Sequence, residues 1–213
     1  MRRRAIVLGA GGHCRVVLSI LKAVDGHELL GIIDLGEPHI GEEIMGVAVI
    51  GTTASLETYR NHKDLDLFLC IGDNKLRKFW WQTAHSLGLL MPNLMSPHAL
   101  IDPHALLGTA NIICANAFIG PKALLGNNNL INTSAIVEHE ARIGSHCHLA
   151  PAATLCGRSG LDDCCLVGAG ATVIDFIQIA AEVTVGAGAT VVSTITDTGG
   201  IYVGTPAKRN ASQ

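Results

Sequence analysis

Two stretches of the chain carry residues whose types and spacing could do chemistry. The first is Glu138-His139-Glu140, a histidine with a carboxylate on either side, followed nine residues later by His148. A carboxylate beside an imidazole fixes its tautomer and raises its basicity, which is what a general base at neutral pH requires. Neighbours in an extended segment point to opposite faces, so a glutamate reaches the ring only if the chain turns a corner there. The residues alone equally fit a solvated polar corner. The second stretch is Gly9-Ala10-Gly11-Gly12-His13, between an apolar run and an amphipathic segment. Glycines there let the backbone approach a phosphate, and a helix N-terminus attracts it. A plain tight turn is the alternative. The dinucleotide fingerprint would place a third glycine where Cys14 stands. Asp34 closes the next apolar run, where an acid could bond a ribose hydroxyl.

The element that must position the histidine is a six-residue repeat. From Ile101 to Val191, stepping by six, all sixteen positions are aliphatic, and Met95 extends the series backward. The residue after the aliphatic is often small or polar (Gly108, Gly120, Gly126, Asn132, Gly144, Gly168, Gly186). The fifth position is often alanine. Neither a helix nor an alternating strand has this period. It predicts a parallel β-helix in which three short strands close one coil and residues 18 apart stack. His148 then stacks between Leu130 and Leu166, and His146 between Asn128 and Cys164. Zinc needs three or four convergent ligands. No histidine column forms, so no metal is expected. The bulkier hexapeptide Val173 to Gln178 is expected to mark a contact with another subunit.

Upstream, apolar runs at Ala5–Leu8, Leu29–Ile33, Val47–Ile50 and Leu67–Ile71 alternate with helical patterns, the last through Trp80 and Trp81. That alternation predicts a small parallel sheet with crossover helices. It is too short for a full dinucleotide fold, which favours another nucleotide over NAD. Pro92 and Pro97 punctuate the joint, giving domains 1–92 and 93–213. The tail from Ile201 breaks the sixes and is expected to cap or leave the coil.

Composition narrows the class. The 213 residues are 48% hydrophobic but only 4% aromatic, so the core is built of small aliphatics. A net charge of -3 offers nothing to nucleic acid. No apolar run reaches about 18 residues, so no membrane span is expected. Seven cysteines without a CxxC pair read as reduced, cytoplasmic thiols. None has an evident base partner, which argues against a cysteine acyl-enzyme.

The repeats resemble those of the hexapeptide acyltransferases, whose coil is left-handed; the hand comes from that resemblance. Gly9 to His13, the Ile71-Gly72-Asp73-Asn74 segment with Arg77, and the coils together resemble one subfamily, the bacterial sugar acetyltransferases. These are N-acetyltransferases of UDP-4-amino-4,6-dideoxy sugars or GDP-perosamine, and the related sialic-acid O-acetyltransferases. Cys14 departs from the glycine usual in members. The resemblance implies a Rossmann-like N-terminal domain that holds a nucleotide-sugar near Gly11, Gly12, His13, Asp34, Asp73 and Asn74. It implies His139 as base, Glu140 as its acidic partner, His148 near the acetyl group and the Gly157 amide facing the acetyl carbonyl. The pantetheine arm of acetyl-CoA would run along Gly168-Ala169 and Gly186-Ala187, with Lys208 and Arg209 near its phosphates. A homotrimer with CoA between neighbouring coils is also implied. The expected reaction is direct transfer of acetyl to the amino group of a nucleotide-linked 4-amino-4,6-dideoxy sugar, for surface glycan or glycoprotein assembly. Sialic-acid O-acetylation is the near alternative, and a non-catalytic nucleotide-binding scaffold the distant one.

Overall fold

The computed structural model describes residues 2–36 and 40–210. The chain divides into two compact units, Met1–Pro97 and His98–Gln213. Unit 1 holds β1 (Arg3–Leu8), α1 (Gly12–Val24), β2 (His27–Asp34), β3 (Glu43–Ile44), β4 (Val47–Thr52), a 3-10 helix (Thr53–Tyr59), β5 (Leu65–Leu69) and α2 (Asn74–Ser86). Its last residues, 93–97, follow the expected joint at residue 92, and Leu94 among them is buried.

The sheet order is β3-β4-β2-β1-β5. All neighbours are parallel except β3 and β4. Ala5 to Leu8 are fully buried, as expected of a central parallel strand covered on both faces. Helix α1 buries Cys14, Val17, Leu18 and Leu21, one stripe at helical spacing. The short β3 carries no hydrophobic run, which is why periodicity misses it. Strand order reverses at β1, with β2 on one side and β5 on the other. The turns after β1 and β5 therefore open side by side at the carboxyl edge of the sheet, a topological switch point.

Unit 2 is a left-handed β-helix of two-residue strands on three faces. One face runs Leu100–Ile101, Phe118–Ile119, Ile136–Val137, Thr154–Leu155, Thr172–Val173 and Thr190–Val191. A second runs Leu106–Leu107, Leu124–Leu125, Arg142–Ile143, Gly160–Leu161 and Gln178–Ile179. A third carries Ile112–Ile113, Leu130–Ile131, His148–Leu149, Leu166–Val167, Thr184–Val185 and Ile201–Val203. Each coil strand from Leu100 to Val173 pairs with the one 18 residues on, as Ile136 does with Thr154. The second residue of each strand points inward. The alanines do more than ease corners. Ala117, Ala123, Ala135, Ala141, Ala153, Ala171 and Ala189 are buried in the core beside the aliphatics.

The corners explain the rest of the repeat. The third residue after each aliphatic takes a left-handed backbone, from Asn116 (φ 58) to Glu182 (φ 62). A non-glycine residue there costs roughly 1 kcal/mol. Coil-to-coil bonds offset it, as where the Glu140 N–H donates to Pro121 O at 3.0 Å. Where the residue just after the aliphatic is glycine, the next coil's backbone commonly lies against it. A Cβ on Gly120 would fall 2.8 Å from the His139 nitrogen.

An inward column ties the coils together. Asn111 Nδ2 donates to Gly126 O at 3.0 Å and Asn129 Nδ2 to Gly144 O at 2.9 Å. Each side-chain oxygen accepts the N–H one coil on, at Asn129 and Cys147. Cys147 and Cys165 then take over, their thiols donating to Asp162 O and Ala180 O, each at 3.1 Å. The tail stays with the coil. Ile201–Val203 pairs parallel with Thr184–Val185, and Lys208–Arg209 folds back on it antiparallel. No helix among the described residues is long and apolar enough to cross a membrane.

Candidate active site

In unit 1 the two glycine-bearing turns are built by side chains. Gly9 has φ +110, and a Cβ there would meet Cys70 O at 3.0 Å. Gly11 and Gly12 face open space at the start of α1. Asp34 Oδ1 accepts from Leu35 N at 2.7 Å, closing its own turn at the end of β2. Asp73 caps α2 by accepting from Leu76 N at 2.7 Å. The buried Arg77 donates to Ile71 O at 3.0 Å, Gly72 O at 3.2 Å and Asn74 Oδ1 at 2.8 Å. The Ile71-to-Arg77 motif is thus a clamp on its own loop, and Asp73 and Asn74 serve the loop directly. His13 has a buried Nε2 with no hydrogen-bond partner among the described residues. Burial, then the Arg77 charge, push its pKa down to about 4. A neutral imidazole with an unmet polar atom, two open glycines and a helix N-terminus suit a polar, anionic ligand. Cys14 points away into the core, where its thiol meets Cys70.

In unit 2, Glu138-His139-Glu140 turns the corner between the first and second faces. The left-handed Glu140 (φ 59) is what lets one glutamate reach the ring. Glu140 Oε2 lies 3.4 Å from His139 Nδ1, whereas Glu138 Oε2 accepts the His139 backbone N–H at 3.2 Å. Glu140 therefore orients the ring and Glu138 holds the chain. The ring lies across Gly157, where a Cβ would fall 2.6 Å from both Cε1 and Nε2. No acceptor among the described residues takes the Gly157 N–H. Arg158 Nε donates to the same Glu140 Oε2 at 2.9 Å. Arg158, then His139, hold the Glu140 carboxyl below its ordinary range. Motif reading misses Arg158. The 18-residue step, which stacks it on Glu140, is the signal that finds it.

The remaining residues are spread around the coil. His148 stands on the third face, with Asn132 Nδ2 3.3 Å from its Nε2. His146 is buried, its Nδ1 2.8 Å from Asn128 Nδ2. Gly168-Ala169 and Gly186-Ala187 form the corner between the third and first faces. A Cβ on Gly168 would fall 2.5 Å from the Ala187 nitrogen, so that glycine serves coil packing first. The open positions are Gly170 and Gly188 beside it. Lys208 and Arg209 are exposed on the closing strand, and Arg209 Nη1 lies 3.4 Å from Asp197. One chain thus places His139 with Gly157 on one corner and the small-residue ridge on another. Burial, then Asp175 and Glu138, raise the pKa of Cys156, and burial pushes Cys114 up to about 12. Neither thiol is a ready nucleophile.

The PglD N-terminal domain family matches residues 4–84. No curated protein matches in sequence. Solved structures match almost end to end. A perosamine N-acetyltransferase from Caulobacter crescentus, in complex with CoA and GDP-perosamine, is 32% identical. It superposes with a TM-score of 0.92 over 98% of this chain and 97% of that one. The acetyltransferase domain of PglB from Neisseria gonorrhoeae FA1090, in complex with acetyl coenzyme A, is 30% identical. Its TM-score is 0.91 over 99% of this chain and 100% of that one. WeeI from Acinetobacter baumannii AYE shares the fold at 19% identity, with a TM-score of 0.87 over 97% of this chain and 99% of that one. With more than 30% identity over nearly the whole length, the chain belongs to the hexapeptide-repeat, CoA-dependent sugar N-acetyltransferases.

Proposed function

We propose that the protein transfers acetyl from acetyl-CoA to the amino group of a nucleotide-linked 4-amino-4,6-dideoxy sugar, of the UDP-linked or GDP-perosamine type. One observation carries the chemistry: the His139 ring has Nδ1 turned to Glu140 Oε2 and Nε2 over Gly157. With Nδ1–H donating to the carboxylate, the lone pair sits on Nε2. Nε2 then accepts the proton that the sugar amine sheds as its nitrogen attacks the thioester carbonyl. The C–N bond forms, the C–S bond breaks, and the CoA thiolate takes the proton from Nε2 and leaves as the thiol. The Gly157 N–H is the donor for negative charge developing on the carbonyl oxygen. Transfer is direct in this reading, since Cys156, whose pKa is raised by burial and then by Asp175 and Glu138, is a poor nucleophile.

Unit 1 would bind the nucleotide-sugar through Gly11, Gly12 and His13, with Asp34, Asp73 and Asn74 shaping the turns. His148, the ridge at Gly168-Ala169 and Gly186-Ala187, and Lys208 and Arg209 would hold CoA. Because those residues and His139 occupy different faces of one coil, neighbouring copies of a homotrimer would complete each site. Sedimentation at about three times the chain mass of 22.3 kDa is expected.

The test is thiol release from acetyl-CoA with UDP-4-amino-4,6-dideoxy sugars, GDP-perosamine, and free or CMP-linked sialic acid. Release with an amino sugar, with an N-acetyl product by mass, supports the reading. Release with sialic acid alone moves the activity to a hydroxyl acceptor. Silence with every acceptor and no binding of CoA would refute catalysis.

A further inference from the structure

Arg158 lies outside both motifs, yet three hydrogen bonds hold it at the corner of the reacting histidine. Its Nε donates to Glu140 Oε2 at 2.9 Å, its backbone N–H donates to His139 O at 3.1 Å, and its carbonyl accepts from Gln178 Nε2 at 3.3 Å. Its guanidinium carbon stands 5.5 Å from the centre of the Phe176 ring, a cation–π contact. Glu140, Arg158 and Phe176 occupy the same left-handed corner on three successive coils, with φ of 59, 58 and 65. They form a column from the solvent-facing aromatic up to the carboxylate on His139.

The distances show why the column matters. The Glu140 oxygen facing His139 is 3.4 Å from Nδ1, long for a hydrogen bond, whereas the same oxygen is 2.9 Å from Arg158. Glu140 is 41% exposed and has freedom to rotate away. A lone contact of that length would not hold a solvated carboxylate in one place. The arginine does, and its planar group can rest on Phe176 while it binds.

Resting on the reading of His139 as base, we propose that Arg158 is a positioning residue. Braced by Phe176, it pins Glu140 Oε2 against His139 Nδ1 and so keeps the Nε2 lone pair available. This also gives the bulky hexapeptide from Val173 to Gln178 a purpose within its own chain, since Phe176 is the brace and Gln178 holds the Arg158 carbonyl.

The experiment is nitrogen NMR of protein labelled at histidine, with His139 assigned by loss of its signals in His139→Gln. The wild type should show one tautomer, with the proton on Nδ1. Arg158→Ala and Glu140→Gln should each give a mixture of tautomers, Arg158→Lys an intermediate pattern, and Phe176→Leu a smaller shift in the same direction. In turnover, Arg158→Ala should lower kcat about 10- to 100-fold, on the scale of a misplaced catalytic group, with KM for acetyl-CoA within about twofold. In a Glu140→Gln background it should add less than about twofold, because the two residues act in series. An unchanged His139 tautomer in Arg158→Ala and Arg158→Lys, or effects of the two changes that multiply, would overturn the proposal. The NMR readout needs no turnover. A tautomer that depends on Arg158 in a protein that acetylates no sugar would leave the positioning standing and the function reading refuted.

Discussion

Asn111, Asn129, Cys147 and Cys165 stand one coil apart and point inward, at most 1% exposed. Glu140, Arg158 and Phe176 also stand one coil apart, but at a corner in solvent, 41% to 64% exposed. The same 18-residue step builds both columns. Inside, every donor meets a backbone carbonyl one coil on, so the column acts as a ladder that bonds coil to coil. Outside, the side chains bond mainly to one another and leave a histidine nitrogen over a glycine. A solenoid can therefore keep its fold and its chemistry in separate columns. Substitutions in one should move stability, and in the other activity.

Breaking the ladder should have the largest effect. Asn129→Ala removes the acceptor of the Cys147 N–H and the donor to Gly144 O. Each stranded buried group costs about 1–3 kcal/mol. A loss of about 2–6 kcal/mol in denaturant unfolding is expected, with kcat per folded molecule little changed.

His13 tests a buried imidazole against the exposed His139. Its folded pKa of about 4 lies below the ordinary 6.5. Stability from this group is present above about pH 6.5 and is lost as pH falls towards 4, because only the unfolded chain takes up the proton. The expected loss is about 3 kcal/mol across that window, measured by unfolding at stepped pH. His13→Phe should flatten the slope.

Gly157→Ala probes the outer column without touching the ladder. The new Cβ would displace the His139 ring, lowering kcat by about 100-fold. The unfolding free energy should stay within about 1 kcal/mol, since only the exposed side chain of His139 must give way. Wild-type turnover in this variant would mean that the ring position is irrelevant. The smallest effect is expected for Cys147→Ser, whose hydroxyl can still donate to Asp162 O and so strands no buried group; a change of about 1 kcal/mol in stability is expected.

The coil was legible because its core position recurs without a slip from Ile101 to Val191, and a two-residue strand needs little else. The alternating elements of unit 1 were legible from their apolar runs, apart from β3, which has none. The Glu-His-Glu cluster was visible, but which glutamate touches the ring was not. That depends on the left-handed backbone of Glu140, and nothing in the residue type demands it. Arg158 was hidden for a related reason: its partner lies 18 residues away, outside any local motif. Asp73 and Asn74 read as ligand residues; that their side chains also cap α2 and receive Arg77 appears only once the loop has its shape.

The central claim is that His139 Nε2 takes the proton from the attacking amine. The most direct measurement is kcat of His139→Ala with acetyl-CoA and the best amino-sugar acceptor, alongside its unfolding midpoint. A fall of about 100- to 10,000-fold with an unchanged midpoint is expected of a lost general base. A folded alanine variant that turns over at the wild-type rate would contradict it.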